Sequence, residues 1–362
     1  MTENDFVFQP SESMPTTAKV GWKAPSNIAL VKYWGKKANQ IPANPSVSFT
    51  LDACATTTSL LFQKRKAPAH DFSFELYFDG QKKEDFKPKI ATFLTRVEPY
   101  LPFLKGYDFT IETTNSFPHS SGIASSASGM AALALCLLSV ERMARPEMTA
   151  DYFNKKASFL ARLGSGSACR SIEGDLIQWG HTSGIPNSSD LFGIHYPFEV
   201  HENFKNYHDT ILLVHKGQKT VSSTIGHGLM HNHPFAAQRF SQAHENMASL
   251  QPIFKSGDLE GFIALVESEA LTLHAMMMTG QPYFILMKPN TLEVIHKIWA
   301  FREATKMPIC FTLDAGANVH VLYPEKVKEK AMEFIKDQLV VHCEAGQYIC
   351  DRIGKGAKEL TI

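Results

Sequence analysis

Between a threonine-rich extended run at 107–114 and an apolar stretch starting near 124 lies the loop N-S-F-P-H-S-S-G-I-A-S-S-A-S-G, residues 115–129. No other segment restricts the chain as strongly. Small and hydroxyl side chains let a backbone approach an anion closely, and the helix that follows aims its unpaired N–H groups at the same place. The loop therefore reads as a phosphate cradle, or else as a tightly packed helix entry capped by serine. It is not a Walker A loop, because no Lys-Ser or Lys-Thr pair follows the glycine.

The chain changes character at this loop. Before it, VSFTL at 47–51, ATTTSLLF at 55–62, FSFELYF at 72–78 and YDFTIETT at 107–114 are separated by turn material such as Asp79-Gly80, and predict strands with hairpins. After it come predicted helices at 124–143 and 149–163, a small-residue loop at 164–171 and a strand, DLIQW. Residues 180–205 read as loop. A strand TILLVHK follows, then helices near 235–250, 258–275 and 290–305, strands PICFTL and NVHVLY, and a charged amphipathic helix at 325–339. Residues 1–18, with Pro10 and Pro15, read as a polar tail. At about 150 residues per domain, the 362 residues suggest two domains, expected at 19–205 and 206–362. Strands with segregated helices, rather than strict βαβ alternation, imply an α+β class.

Composition narrows the function classes. Lys plus Arg total 36, as do Asp plus Glu. That balance argues against a general nucleic-acid or membrane-surface binder and leaves room for a local basic pocket. The longest clearly apolar stretch, 130–140, is short for a bilayer span. The amino terminus lacks the basic start and apolar core of a signal peptide. Six cysteines without a C-x-x-C pair are expected to be mostly buried free thiols of a cytoplasmic protein. His227, His231 and His233 have no acidic or cysteine partner at ligand spacing, and are expected as exposed helix-end histidines. Met276, Met277 and Met278 are expected to fill core or cleft wall.

Three further stretches hold chemistry-bearing side chains. At 24–36, A-P-S-N-I-A-L-V-K-Y-W-G-K ends in Lys32, Tyr33, Trp34, Gly35 and Lys36. These could offer ammonium groups to a polyanion, or close a strand with solvated lysines. At 164–171, G-S-G-S-A-C-R-S carries two hydroxyls and the planar fork of Arg170, suited to a carboxylate, or links helix to strand. At 311–318, F-T-L-D-A-G-A-N sets Asp314 between a buried-looking strand and Gly316, delivered into a cleft or starting a turn.

These stretches resemble one family. P-x-x-x-G-I-A-S-S-A resembles the phosphate-binding motif of the GHMP small-molecule kinases, with Ile123 replacing the commoner Leu. N-I-A-x-x-K-Y-W-G-K, G-S-G-S-A-C-R-S, V-S-S-T at 221–224, L-x-x-H-A around His274 and D-A-G-A-N, with Ala317 for Pro, resemble blocks of the diphosphomevalonate decarboxylases, a branch of that family. The likeness runs from about 20 to 335 with its blocks in order.

The resemblance implies the two-domain α+β GHMP fold, with the active-site cleft between the domains, and a homodimer. It implies ATP-dependent decarboxylation of mevalonate 5-diphosphate to isopentenyl diphosphate, releasing ADP, phosphate and carbon dioxide. By the same resemblance, ATP binds at Ser120, Ser121, Gly122, Ile123, Ala124, Ser125 and Ser126, with Mg²⁺ held mainly by its phosphates and no protein metal ligand assigned. Asp314, Lys32, Ser126 and Arg170 would be catalytic. Asn27, Tyr33, Trp34, Gly35, Lys36, Ser165, Gly166, Ser167, Ala168, Cys169, Arg170, Ser223 and Thr224 would contact substrate. An arginine that the family often places on the diphosphate aligns best with Lys89, which keeps the charge and loses the fork. Relatives that use the monophosphate, or that phosphorylate the 3-hydroxyl without decarboxylation, are alternatives. A non-catalytic ligand-binding relative would have a damaged Asp314, Lys32 or phosphate loop, and none is damaged. Neither nucleic acid nor membrane is implied as a partner.

Overall fold

The computed structural model describes residues 1–9, 13–67, 70–118, 123–217 and 223–362, except for the side chains of 223 and 224. The strands are β1 (Thr17–Val31), β2 (Ser46–Lys64), β3 (Ser73–Phe78), β4 (Gln81–Lys82), β5 (Tyr107–Asn115), β6 (Leu176–Trp179), β7 (Ile194–His195), β8 (Tyr207–Leu212), β9 (Cys310–Thr312), β10 (Val319–Pro324), β11 (Tyr348–Arg352) and β12 (Lys358–Glu359). The helices are α1 (Lys87–Val97), α2 (Ser125–Met143), α3 (Ala150–Gly164), α4 (Ser223–Leu229), α5 (Ala236–Ser256), α6 (Leu259–Thr279), α7 (Pro289–Thr305) and α8 (Lys328–Phe334).

One sheet runs β12-β1-β2-β5-β3-β4, with β6 and β7 attached to the far end of β2. The runs expected at 47–51 and 55–62 are a single long strand, β2. Its middle stays extended because the Asp351 carboxylate accepts the N–H groups of Asp52, Ala53 and Cys54 at 2.9, 2.8 and 2.7 Å. β1 pairs with β2 antiparallel, with register breaks at Pro25/Asn27 and Ala29/Val31. Pro25 has no N–H to donate, so the ladder must adjust beside it.

Helix α2 is built from Ala, Leu and other apolar residues on every side, so it can only be a buried helix. It packs among β1, β2 and α3, and 78% of its most apolar window lies inside the protein. By length and composition α2 and α6 could each cross a bilayer, contrary to the sequence expectation, but both serve as core helices here. Helix α1 was not expected. Its lysines mask the spacing of Ile90, Phe93, Leu94 and Val97, all buried against the same core.

Residues 1–9 of the segment read as a polar tail are docked. Phe6 is fully buried, stacked on Phe159 at 4.5 Å and edge-on to Phe192 at 5.9 Å. Burying one such ring contributes about 1.5–3 kcal/mol, enough to order a short polar segment.

The second sheet, β11-β8-β10-β9, is antiparallel. One apolar cluster spans both sheets, joining Leu30 of β1 and Phe49 of β2 to Tyr207 and Ile211 of β8 and Phe262 and Val266 of α6. The end of β1 and the loop leaving β9 therefore meet at one place. The closing helix expected at 325–339 breaks into a tight turn at Glu325–Val327, the α-helix α8, and a wider turn at Ile335–Leu339. Cys54, Cys136, Cys169, Cys310 and Cys343 are buried free thiols, and Cys350 is exposed.

Candidate active site

Lys32 follows the last residue of β1 and is buried. Its Nζ lies 3.2 Å from Oδ1 of Asp314, which the chain delivers just beyond β9. The Lys32 side chain is 2% exposed and that of Asp314 26%, so the carboxylate is the member of the pair that faces the opening. Burial pushes the Lys32 ammonium toward losing its proton; Asp314 and Glu269 oppose this, and Arg170 adds to it. The Asp314 backbone is pinned as well. Gly316 N–H donates to its carbonyl at 2.7 Å, and Nε2 of the buried His274 donates to the same oxygen at 3.1 Å. Burial lowers the His274 pKa to about 4, which keeps the ring neutral.

Arg170 is also buried and forms no ion pair among the described residues. Its Nε donates to Ser48 Oγ at 2.9 Å, its Nη1 to Ser46 Oγ, and its Nη2 to Asn27 Oδ1 at 3.3 Å. Asn27 is itself fixed by donating to Ser171 Oγ at 2.8 Å and Ser167 O at 3.2 Å. A guanidinium surrounded by neutral acceptors keeps its positive charge available to an arriving anion.

Tyr33 packs between Trp179 and His227, with ring centroids at 4.7 and 4.2 Å. A Cβ on Gly166 would lie 2.7 Å from the Tyr33 hydroxyl, so the close approach of the two segments depends on that glycine. The Tyr33 hydroxyl is sealed with no hydrogen-bond partner among the described residues. Lys36 is half-buried, and burial together with Arg96 lowers its pKa. Trp34 sits in an apolar cluster with Met230, Leu273 and Met277, while its backbone N–H donates to Asn44 Oδ1 at 3.3 Å. Ala168 and Cys169 are buried in the turn that carries Arg170, Gly166–Ser171.

His227 corrects an expectation. It is buried, not exposed, and its Nδ1 accepts the Gly35 N–H at 3.0 Å. Gly35 itself has φ +98, a conformation that favours glycine. Burial drops the His227 pKa to about 3, so the ring is neutral with its proton on Nε2. His233 is buried too, contacting Met276 O through Nε2 at 3.0 Å. Of the three methionines, Met276 and Met277 are buried and Met278 is exposed.

On the loop side, Ser120, Ser121 and Gly122 lie outside the described residues, as do the side chains of Ser223 and Thr224. Ile123 is buried, and its carbonyl accepts from Ser26 Oγ at 2.6 Å. Ala124 takes left-handed φ/ψ and cannot cap α2, so no side chain caps that helix start among the described residues. A cavity of about 170 Å³ opens beside it, lined by Thr56, Thr58, Thr113, Asn115, Ser125, Ser126, Gly129 and apolar side chains. Lys89 lines this cavity too, from α1. Ser126 Oγ is 3.3 Å from Ser165 Oγ, so this wall adjoins the loop that carries Arg170. Residues that sequence reasoning did not single out are Asn44, Ser46, Ser48, Arg239 and Glu269. Of these, only Glu269 left a signal, as a carboxylate interrupting the apolar run of α6.

Comparison with known proteins bears on this geometry directly. Residues 24–190 match the family described as Diphosphomevalonate decarboxylase-like N-terminal domain, and residues 210–358 match Mevalonate 5-diphosphate decarboxylase C-terminal domain. The chain belongs to the diphosphomevalonate decarboxylase family. Within that family, the diphosphomevalonate decarboxylase of Ganoderma lucidum is 29% identical over 329 residues, covering 86% of this chain and 80% of the relative. A phosphomevalonate decarboxylase of Haloferax volcanii is 26% identical, covering 85% of this chain and 89% of its own length. The crystal structure of mevalonate diphosphate decarboxylase from Staphylococcus aureus superposes with a TM-score of 0.80 at 27% identity, over 95% of this chain and 98% of that one. A structure described as MDDEF in complex with MVAPP, AMPPCP and magnesium gives a TM-score of 0.80 at 29% identity, over 96% of this chain and 100% of that one. The α+β class and the two-domain GHMP fold expected from the sequence are borne out.

Proposed function

We propose that this chain catalyses the ATP-dependent decarboxylation of mevalonate 5-diphosphate, giving isopentenyl diphosphate, ADP, phosphate and carbon dioxide. The observation that carries the reading is the Lys32–Asp314 pair at 3.2 Å, a buried cation behind a carboxylate that faces the cleft. Asp314 accepts the proton of the tertiary 3-hydroxyl as its oxygen attacks the γ-phosphorus of ATP, with ADP leaving. Lys32 balances the charge of Asp314 and of the transferring phosphoryl group. The hydroxyl is a poor leaving group and its phosphate ester a good one. The electrons of the bond to the carboxylate then form the alkene as phosphate departs, and carbon dioxide is released.

Arg170 holds the substrate carboxylate. Tyr33, Lys36, Ser165 and Ser167 line the path to the diphosphate. The start of α2, which no side chain caps among the described residues, and Ser126 receive the nucleotide phosphates, and the threonine-lined cavity beside them suits the nucleoside. Lys89 stands on that cavity's wall, which favours a nucleotide contact over the substrate-diphosphate contact expected from alignment. Among the described residues, no group of three or more His, Cys, Asp or Glu side chains could hold a metal. Magnesium would be held mainly by the nucleotide phosphates, with the Ser126 hydroxyl beside them, and it would supply charge neutralisation for phosphoryl transfer.

A second reading, with the monophosphate as substrate, is favoured by the departure of Lys89 from the substrate diphosphate and by the Haloferax relative. Parallel detection of ADP and carbon dioxide with ATP and Mg²⁺, on mevalonate, its 5-phosphate and its 5-diphosphate, separates the two. Equal release of both products, selective for the diphosphate, is the expected result. Preference for the monophosphate would move the assignment to the second reading, and ADP without carbon dioxide would make the chain a kinase.

A further inference from the structure

We propose that Arg239 and Glu269 form a positioning pair that fixes Lys32 from behind by gripping both polar groups of its peptide backbone. The proposal rests on the reading of Lys32 given above.

The geometry is reciprocal. Arg239 on α5 meets Glu269 on α6 through two parallel bonds, Nη1 to Oε1 at 2.9 Å and Nη2 to Oε2 at 2.6 Å. The same Nη2 donates to the Lys32 carbonyl at 2.9 Å, and the same Oε2 accepts the Lys32 N–H at 2.8 Å. Asn246 Nδ2 holds Oε1 at 2.6 Å, and Asn44 Nδ2 adds a second bond to the Lys32 carbonyl at 2.9 Å. Both charged side chains are 0% exposed.

The need arises from where Lys32 sits. Pairing of β1 with β2 ends at Val31↔Val47, so the next peptide has no ladder partner and lies in the interior. Buried backbone groups must be satisfied, and neutral amides would suffice for that. Two buried charges are a costly way to cap one peptide, because desolvation opposes them. What the pair adds is rigidity, since a bidentate fork fixes direction as well as distance. It also brings a second carboxylate within range of the Lys32 ammonium.

The charged and titratable groups around Lys32 are Asp314 beyond β9, Glu269 and His274 on α6, Arg239 on α5, Arg170 in the turn after α3, and Asp209 on β8. Removing the charge of Glu269 leaves Arg239 uncompensated. Both changes make Lys32 lose its proton more readily, so activity should fail at lower pH.

The test uses Glu269→Gln and Arg239→Lys in the full chain, with Lys32→Arg and Glu141→Gln as references. Glu141 forms another fully buried pair, with Lys156 at 2.6 Å, and among the described residues its side chain hydrogen-bonds only Lys156 and Arg145. Glu269→Gln should lower kcat about 10- to 100-fold and leave both KM values within about twofold. It should also move the alkaline limb of the kcat profile about one unit toward lower pH. Arg239→Lys keeps the charge and loses the fork, so kcat should fall with the limb in place; it carries the test should Glu269→Gln not fold. Glu141→Gln should lower the Tm and leave the limb unmoved. Glu269→Gln behaving as Glu141→Gln does, or Arg239→Lys with unchanged kcat, would overturn the proposal. Lys32→Arg should abolish the limb. Its persistence there would instead overturn the reading of Lys32, and the pair's role with it.

Discussion

Ser126 and Ser165 stand with their hydroxyl oxygens 3.3 Å apart, one in the first turn of α2 and the other at the head of the loop that ends in Arg170. The sequence separates the two by 39 positions, and α2 and α3 fold them into contact. A nucleotide seated at α2 and an anion held by Arg170 would therefore share a wall. Direct transfer between two substrates needs such an arrangement, because reacting atoms must be held in near-contact geometry.

Replacing Arg170 by Lys should raise the substrate KM about tenfold, on the order of 1.4 kcal/mol for lost fork geometry. The ammonium keeps the charge but cannot reach Ser46, Ser48 and Asn27 together, as the guanidinium does. Steady-state kinetics on the variant gives the answer. An unchanged KM would put Arg170 outside the substrate's reach.

Stability should depend on pH through His227. Its folded pKa, about 3, lies below the ordinary 6.5, so the unfolded chain binds the extra proton between those values. Stability then rises with pH across that window and is lost as pH falls through it. Between pH 7 and pH 5 the loss from this one ring is about 2 kcal/mol. His274, with a folded pKa near 4, acts in the same direction. Urea unfolding at both pH values should show a fall about 2 kcal/mol smaller in His227→Gln than in the parent. Equal falls would contradict a buried neutral His227.

Phe6→Ala should cost about 3–5 kcal/mol of stability and leave kcat alone. The ring is fully buried against Phe159 and Phe192, and the site lies elsewhere. Thermal unfolding and turnover of the variant check both halves. A stability change below about 1 kcal/mol would mean that the amino-terminal segment is not docked in solution.

Much of the site was legible because its chemistry sits in contiguous blocks. Lys32 and Asp314 each announced themselves within a short motif, and the resemblance paired them across 282 positions. What escaped notice were single residues whose meaning comes only from packing. Arg239 lies in an ordinary polar helix. Glu269 shows only as a charge inside an apolar run, where Glu267, paired with Arg302, shows the same pattern for a different reason. His227 is expected to be exposed on the sequence because no acidic or cysteine partner stands at ligand spacing, and nothing there shows that α4 packs on the segment at 33–36. Gly226 lets that helix close on the segment at 33–36, since a Cβ there would lie 2.4 Å from the Trp34 ring. The fold was readable where period and composition agreed, as in α2, α3 and α5 to α7. It was misread where one residue decided the outcome: Phe6 for the tail, and Asp351 for the continuity of β2.

The central claim is that Asp314 takes the proton that starts the chemistry. Single-turnover release of ADP and carbon dioxide by Asp314→Asn, at saturating ATP, Mg²⁺ and mevalonate 5-diphosphate, tests it most directly. The account predicts that both products fall together by about 10²–10⁴-fold while substrate affinity stays close to that of the parent. Release of either product at the parental rate would contradict it.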